Sequence, residues 1–514
     1  MKKKTLALLL ALCMMFSLLP FGAAAAGFQD VKSGAYYYDA VDWAVNHDPQ
    51  ITNGTGAGIF SPDNTCRRSE VVTFLWRAFG AEKMAGENPF EDVQTKDFFY
   101  DAVLWAVGKG ITNGVNATHF GPNSPCTREQ VATFLWRALG KPDTKVLVSP
   151  FADVLDQESY SYTPILWAYE NGVTNGVRAN AFGSAAPCSR GQIVTFLYRA
   201  LAKPLAPVET DGKIHFQPKV ASKYLSDVFG ETMVETWFNL VDAIMAGKTE
   251  FACPDDDTFA WVTGQFPDKC LPPLHGHIWA ADPDHPVKNG VARFMYDIPY
   301  SEVQAMIADF AKLVEDIFNQ TMMPENTVFE KALLLYKYFD THYVYDWDAF
   351  ADNEEGKAYY LSSYRMLTEK KGICQEVSIA YSYLLMLAGV EASTVSGYGD
   401  GNALHQWSYI RLCGHDYHID PTWVMQSDGK LATFLMTDAQ RNAEGGYSKN
   451  RFSYVSHYSK EHPHPAYAAN DETFAVLWDG FFESLDQENQ TLIYSAEGDN
   501  GEWKPDNVFS YKGY

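Results

Sequence analysis

Gly372-Ile373-Cys374-Gln375-Glu376-Val377-Ser378-Ile379-Ala380-Tyr381-Ser382-Tyr383-Leu384-Leu385-Met386-Leu387-Ala388-Gly389 is the stretch that decides how the second half of this 514-residue chain folds. Val377, Ala380, Tyr381, Leu384, Leu385 and Ala388 recur at helical spacing, and Gly389 supplies a stop. The pattern predicts a buried helix with Cys374 in its first turn, on the inward side because it precedes Val377 by one turn. A thiol at a helix start feels the positive end of the backbone dipoles, which favours the thiolate a nucleophile has to become. Such a nucleophile needs a base, and the base needs an orienting acceptor.

Both are found downstream. His405-Gln406-Trp407-Ser408-Tyr409-Ile410-Arg411-Leu412 reads as a strand, Cys413-Gly414 as a two-residue turn, and His415 to Asp420 as the returning strand. That register sets Leu412 opposite His415 and Trp407 opposite Asp420. His405 and Asp420 then become diagonal neighbours on one sheet face, about 7–8 Å apart between backbones, a gap two side chains bridge. Trp407 either walls a pocket or packs within the sheet, and His415 and His418 read as ordinary strand or turn residues. Upstream, an amphipathic helix is predicted over Ser301–Phe318 and another over Val328–His342, followed by Tyr343-Val344-Tyr345-Asp346.

The ordered motifs Gly372-Ile373-Cys374-Gln375, His405-x-Trp407, His418-Ile419-Asp420-Pro421-Thr422-Trp423 and Phe434-Leu435-Met436-Thr437-Asp438 resemble those of bacterial transglutaminase-like proteins, over roughly residues 330–438. The resemblance implies an α+β papain-like fold, with a cysteine on a central helix packed against an antiparallel sheet. It implies Cys374 as nucleophile, His405 as general base and later acid, and Asp420 as the residue that fixes the imidazole. The implied reaction is acyl transfer from a peptide or protein amide through a thioester, without a cofactor, and hydrolysis is slightly preferred over cross-linking because the bacterial branch with a Gly-x-Cys-Gln opening is so often of unknown or hydrolytic activity. The Cys374 backbone N–H, at an unsatisfied helix start, is a candidate oxyanion donor. Glu376-Val377 departs from the Gly-Tyr that relatives often carry after Cys-Gln, which bears on pocket shape. The rival reading, from another class, is a non-catalytic surface protein whose papain-like domain only binds.

The first half is repetitive. Phe28-Gln29-Asp30-Val31, Phe90-Glu91-Asp92-Val93 and Phe151-Ala152-Asp153-Val154 open units offset by 62 and 61 residues. Trp43-Ala44, Trp105-Ala106 and Trp167-Ala168 match, as do the turns Thr52-Asn53-Gly54, Thr112-Asn113-Gly114 and Thr174-Asn175-Gly176. Each unit ends on a helix, with Thr127 and Gln130, and Ser189 and Gln192, spaced as capping boxes; Arg67 stands at the cap position of the first unit.

These features, with Arg68, Arg128 and Arg190 at the helix starts, resemble three S-layer homology repeats over about residues 28–202. The family packs such a triplet into a pseudo-threefold helical unit that holds secreted proteins on the secondary polysaccharide of Gram-positive cell walls. By that resemblance the three arginines meet anionic sugar groups, which suit a guanidinium fork; the alternative is that they only pair locally. Cys66, Cys126 and Cys188 take one equivalent place per repeat and read as small buried hydrophobes, whereas Cys253 and Cys270 are the disulfide candidates.

The whole is therefore multidomain, an all-α repeat triplet followed by an α+β papain-like, transglutaminase-like domain. Its expected parts are a secretory signal (1–26), repeats at 27–86, 87–147 and 148–203, a Pro-containing linker (204–215), an N-terminal part of the catalytic region (216–327), the core (328–470) and an accessory hairpin (471–514). Lys2, Lys3 and Lys4, the apolar run from Leu6 and Ala24-Ala25-Ala26 carry the signal reading, and with the repeats imply a protein secreted to the cell surface. With 64 acidic against 40 basic residues, a net charge of −24 argues against nucleic acid as a partner. His275-Gly276-His277 and His462-Pro463-His464 lack the flanking cysteine or carboxylate spacing of a metal site, and no metal is expected.

Overall fold

The computed structural model describes residues 27–202, 211–354, 361–398, 404–412, 415–425 and 433–435. The expected signal, most of the linker, Cys413, Met436 to Asp438, His462, His464 and the C-terminal hairpin lie outside them. Two compact units emerge, one built from 27–145, 159–178 and 183–202, the other from 146–158, 179–182 and the described residues from 211 onward.

The first unit holds three helix pairs: α1 (Tyr38–Asn46) with α2 (Arg68–Ala78), α3 (Tyr100–Gly108) with α4 (Arg128–Ala138), and α5 (Tyr162–Glu170) with α6 (Arg190–Leu201). Ala44, Ala106 and Ala168 are buried on the first helix of each pair. Thr127 and Ser189 cap α4 and α6 in full capping boxes. At α2 the arginine leaves only the return half, Glu70 accepting the Arg67 N–H at 2.9 Å. The Thr-Asn-Gly turns require their glycines: Gly54 sits at φ +86°, and a Cβ there would lie 2.4 Å from the Ile59 carbonyl oxygen.

Between pairs the chain closes on itself. Cys126 N–H donates to Cys66 O, Cys188 N–H to Cys126 O and Cys66 N–H to Cys188 O, at 2.8–3.0 Å. The three thiols are fully buried free cysteines, and burial pushes those of Cys126 and Cys188 up to about 12. They act as small apolar side chains where three backbones converge.

The second unit begins with α7 (Lys223–Phe229) and α8 (Glu231–Met245) and continues through β1 (Glu250–Ala252), α9 (Asp256–Gly264), α10 (Phe266–Cys270), β2 (Ile278–Ala280), β3 (Val287–Lys288) and β4 (Val291–Tyr296). In this small antiparallel sheet β4 is central, with β1, β2 and β3 paired to it. Cys253 and Cys270 are free thiols, which corrects the disulfide expectation: Cys253 Sγ donates to the Asp255 carbonyl and Cys270 is sealed in the core at the end of α10.

Then come α11 (Tyr300–Thr321), α12 (Val328–His342), β5 (Val344–Tyr345), α13 (Trp347–Glu354), α14 (Ser363–Glu369), β6 (Lys371–Gly372), α15 (Cys374–Leu387), β7 (Ala392–Tyr398), β8 (Leu404–Leu412), β9 (His415–Ile419) and α16 (Pro421–Val424). α11 buries Val303, Ile307, Phe310, Val314 and Ile317, the stripe its spacing predicts. α15 is the pivot, buried along nearly its whole length against β7, β8, α14 and α12. Each of Tyr381, Leu384 and Leu385 is wholly removed from solvent, worth about 1.5–3 kcal/mol of transfer free energy apiece. Gly389, at φ +76°, ends the helix. β7, β8 and β9 form an antiparallel sheet in that order, and β8 pairs with β9 from Leu412↔His415 to Ser408↔Ile419. That is the register a two-residue turn dictates. The core of this unit is continuous from the α7–α8 region to Leu435, so residues 216–327 pack into the same body as the motif-bearing core.

Candidate active site and repeat cavity

Cys374 is the first residue of α15, so its backbone N–H belongs to the turn that has no acceptor inside the helix. Ile373 before it is held by Glu376, whose Oε2 accepts the Ile373 N–H at 3.0 Å. The thiol is nine-tenths buried and acts electrostatically on the His405 imidazole. His405 stands at the start of β8, and its Nε2 lies 2.6 Å from Asp420 Oδ2. With Nε2 committed to the carboxylate, Nδ1 is the ring nitrogen left for the thiol.

Asp420 follows the end of β9 and is fully buried. Its Oδ1 accepts the Thr422 N–H at 3.2 Å, so one carboxylate both starts α16 and orients the imidazole. Its backbone is pinned from the far side of the site: Asp420 N–H donates to Thr433 O at 2.9 Å and Thr433 Oγ1 donates to Asp420 O at 3.0 Å. Thr433 also shares a hydrogen bond with the Tyr336 hydroxyl, and Phe434 packs on Phe329 and Tyr336. The Phe434-Leu435 end of the sequence motif thus anchors the segment that holds Asp420.

Burial pulls the His405 pKa down, but the Asp420 carboxylate and the Cys374 thiol outweigh it and raise it to about 10. The imidazole is therefore a cation at neutral pH, poised between a carboxylate and a thiol. Trp407 is fully buried and donates from Nε1 to His418 Nδ1 at 2.9 Å, so it packs in the sheet while its ring stacks 5.8 Å from His405. Trp423, two-fifths exposed with its ring 6.3 Å from His405, is the aromatic that borders the site from the solvent side. His277 pairs with Asp297, and no cluster among the described residues is arranged to hold a metal ion.

Residues 315–425 match the transglutaminase-like superfamily. The transglutaminase-like domain so defined contains Cys374, His405 and Asp420, and it sits in the α+β body described above. Solved structures with a detectable likeness include a Cytophaga hutchinsonii protein described as a candidate cysteine protease (16% identity, 22% of this chain and 37% of that one, TM-score 0.18). Another is a TGase (21% identity, 24% and 34%, TM-score 0.20).

In the repeat unit the three arginines are buried, only 3–4% exposed. Arg68 donates to Phe120 O, Gln130 Oε1 and Thr112 Oγ1 of the second repeat. Arg190 donates in the same way to Phe60 O, Glu70 Oε1 and Thr52 Oγ1 of the first. Arg128 reaches Thr174 Oγ1 and lies over the Phe196 ring of the third. Each guanidinium thus ties one repeat to the Thr-Asn-Gly turn of the next, a cyclic arrangement that the one-dimensional motif does not announce. Arg128 also lines a cavity of about 300 Å³, together with Tyr36, Thr174 to Val177 and Gln192.

The S-layer homology domain model matches residues 27–72 and 89–132, two of the three sequence repeats. Curated relatives include a surface-layer 125 kDa protein of Lysinibacillus sphaericus (31% identity over 218 residues, 41% of this chain and 18% of that protein). A cell surface protein of Thermoanaerobacter kivui is 30% identical over 232 residues (43% and 28%), and an endoglucanase of Bacillus sp. 31% over 144 (26% and 15%). The chain spans less than a third of the length of these relatives.

Proposed function

We propose that this chain is a secreted, cell-wall-anchored thiol enzyme that acts on peptide or protein amides through Cys374, His405 and Asp420. The observation that carries the reading is the 2.6 Å contact between His405 and the buried Asp420 carboxylate, on an imidazole whose charge the Cys374 thiol at the start of α15 also favours. The Cys374 thiolate attacks the amide carbon, and the oxyanion that forms lies beside the Cys374 N–H at the positive end of α15. Collapse breaks the C–N bond, and His405 delivers its proton to the departing amine, leaving a thioester and a neutral imidazole. Water, deprotonated by His405, then hydrolyses the thioester to acid and free thiol; a primary amine in its place would give a cross-link.

Hydrolysis is the preferred outcome. It is tested by incubating the protein with a peptide library with and without a millimolar primary amine and analysing products by mass spectrometry. The expected result is new acid products in both samples and little amine adduct. Adduct as the main product would overturn the preference.

Anchoring is assigned to the repeat unit, with a secondary cell-wall polysaccharide as the ligand. Its support is the match to the S-layer homology domain, the third repeat's equivalent helix pair and the Arg128-lined cavity. An anionic sugar fits there beside a guanidinium, the exposed Tyr36 ring and the turn at Asn175. Tyr36→Ala combined with Asn175→Ala is expected to weaken sedimentation with purified walls by about tenfold, the effect of losing roughly 1.4 kcal/mol of contact. Unchanged sedimentation would remove this cavity from the binding site.

A further inference from the structure

The first turn of α15 carries an acid that the nucleophile does not need for its own chemistry. Glu376 is wholly buried, and both its oxygens are occupied: Oε1 by the Ser362 N–H at 3.0 Å and Arg365 Nε at 2.8 Å, Oε2 by the Ile373 N–H at 3.0 Å and Arg365 Nη2 at 2.6 Å. Arg365 is thus a bidentate partner from α14. Its remaining Nη1 reaches Asp346 Oδ2 at 2.9 Å and Glu369 Oε2 at 3.3 Å. Asp346 also meets Lys371 Nζ at 3.3 Å, and its backbone N–H donates to Gly372 O. The guanidinium therefore joins the residue after β5 to the first turn of α15, and Asp346 carries the link on to β6.

Position gives this cluster an electrostatic consequence. Glu376 is two residues beyond the thiol, in the same helical turn, and an uncompensated carboxylate there would oppose a thiolate across a poorly screened interior. The charged groups around this helix start are Arg365 and Glu369 on α14, Asp346 after β5, Lys371 on β6, Glu376 on α15, His405 on β8 and Asp420 before α16. Asp268 on α10 is turned to the Ser363 N–H and hydroxyl. Among these, Arg365 is the cation in direct contact with Glu376.

We infer that Arg365 and Glu376 are a positioning pair for the nucleophile: the carboxylate fixes the Ile373–Cys374 backbone at the helix start, and the guanidinium cancels its charge so that the thiolate of Cys374 is formed. The inference rests on the nucleophilic role proposed above. It accounts for why a buried carboxylate is tolerated two residues beyond the thiol.

The test is the pH dependence of Cys374 alkylation by iodoacetamide in the full chain, followed by mass spectrometry of the Cys374 peptide. Arg365→Met is expected to move the thiolate curve up by about one unit, lowering the rate on its acidic limb roughly tenfold. Glu376→Gln, which keeps the hydrogen-bonding shape and leaves Arg365 unopposed, is expected to move it down. The double variant should return close to the wild-type curve. Should Arg365→Met fail to fold, Glu376→Gln decides alone, and a curve unchanged from wild type overturns the inference. Because alkylation needs no turnover, a wild-type protein that cleaves nothing would sink the enzymatic reading while leaving this result to stand or fall by itself.

Discussion

Cys374→Ala is expected to lower amide turnover by on the order of 10⁴ to 10⁶, the loss seen when the attacking atom of a nucleophile–base–acid set is removed. Among the described residues no other cysteine can substitute. Cys66, Cys126, Cys188, Cys253 and Cys270 are all sealed in cores, and burial is the leading cause that raises each of their pKa values. The substitution should leave the fold intact, because Cys374 is the first residue of α15 and that helix is held by the residues that follow it. The measurement is initial rate on a cleaved peptide, paired with thermal melting of the variant. Retention of more than roughly a tenth of the wild-type rate would mean that the thiol does not carry the reaction.

Asp420→Asn should cost about 10³ to 10⁴ in kcat by a different route. The carboxylate is buried and 2.6 Å from His405 Nε2, so it sets which ring nitrogen faces the thiol. An amide in its place can present an N–H to Nε2 and turn the ring to the wrong tautomer. The pH behaviour separates this from simple unfolding. His405 has a folded pKa raised to about 10 from 6.5, so the stability its charge contributes is complete below the unfolded value and is lost as pH rises through the folded one. Without the carboxylate, burial draws that pKa down, and the basic limb of the pH–rate profile should shift to lower pH. The residual activity should fall off with pH earlier than in wild type; a basic limb that does not move would deny Asp420 this role.

Local pattern carried much of this architecture. The apolar spacing from Val377 to Ala388 is enough to draw α15, and reading Cys413-Gly414 in the sequence as a turn is enough to give the observed β8–β9 register, which leaves His405 near Asp420. The Thr127 and Ser189 capping boxes mark their helices directly. What escaped were contacts whose partners carry no periodic signal. Arg365 is an unremarked basic residue until α14 folds against α15, and Thr433 reaches Asp420 only through the segment anchored on Phe329 and Tyr336. Trp423 differs: its motif is plain in the sequence, but which of two tryptophans faces solvent depends on how the sheet and α16 pack, and Trp407, in β8, is the buried one. The spacing of Cys253 and Cys270 suggested a bond that the β1–α10 packing does not make.

The bonds joining Cys66, Cys126 and Cys188 also limit copy number. An open solenoid exposes an unpaired face at each end and needs special end members to cover it; here every repeat both donates and accepts, so no member is terminal. Loss of one repeat removes two of the three inter-cysteine bonds at once, and a fourth could enter only by breaking one. A repeat duplicated singly would therefore meet a ring whose donors and acceptors at this point are already paired.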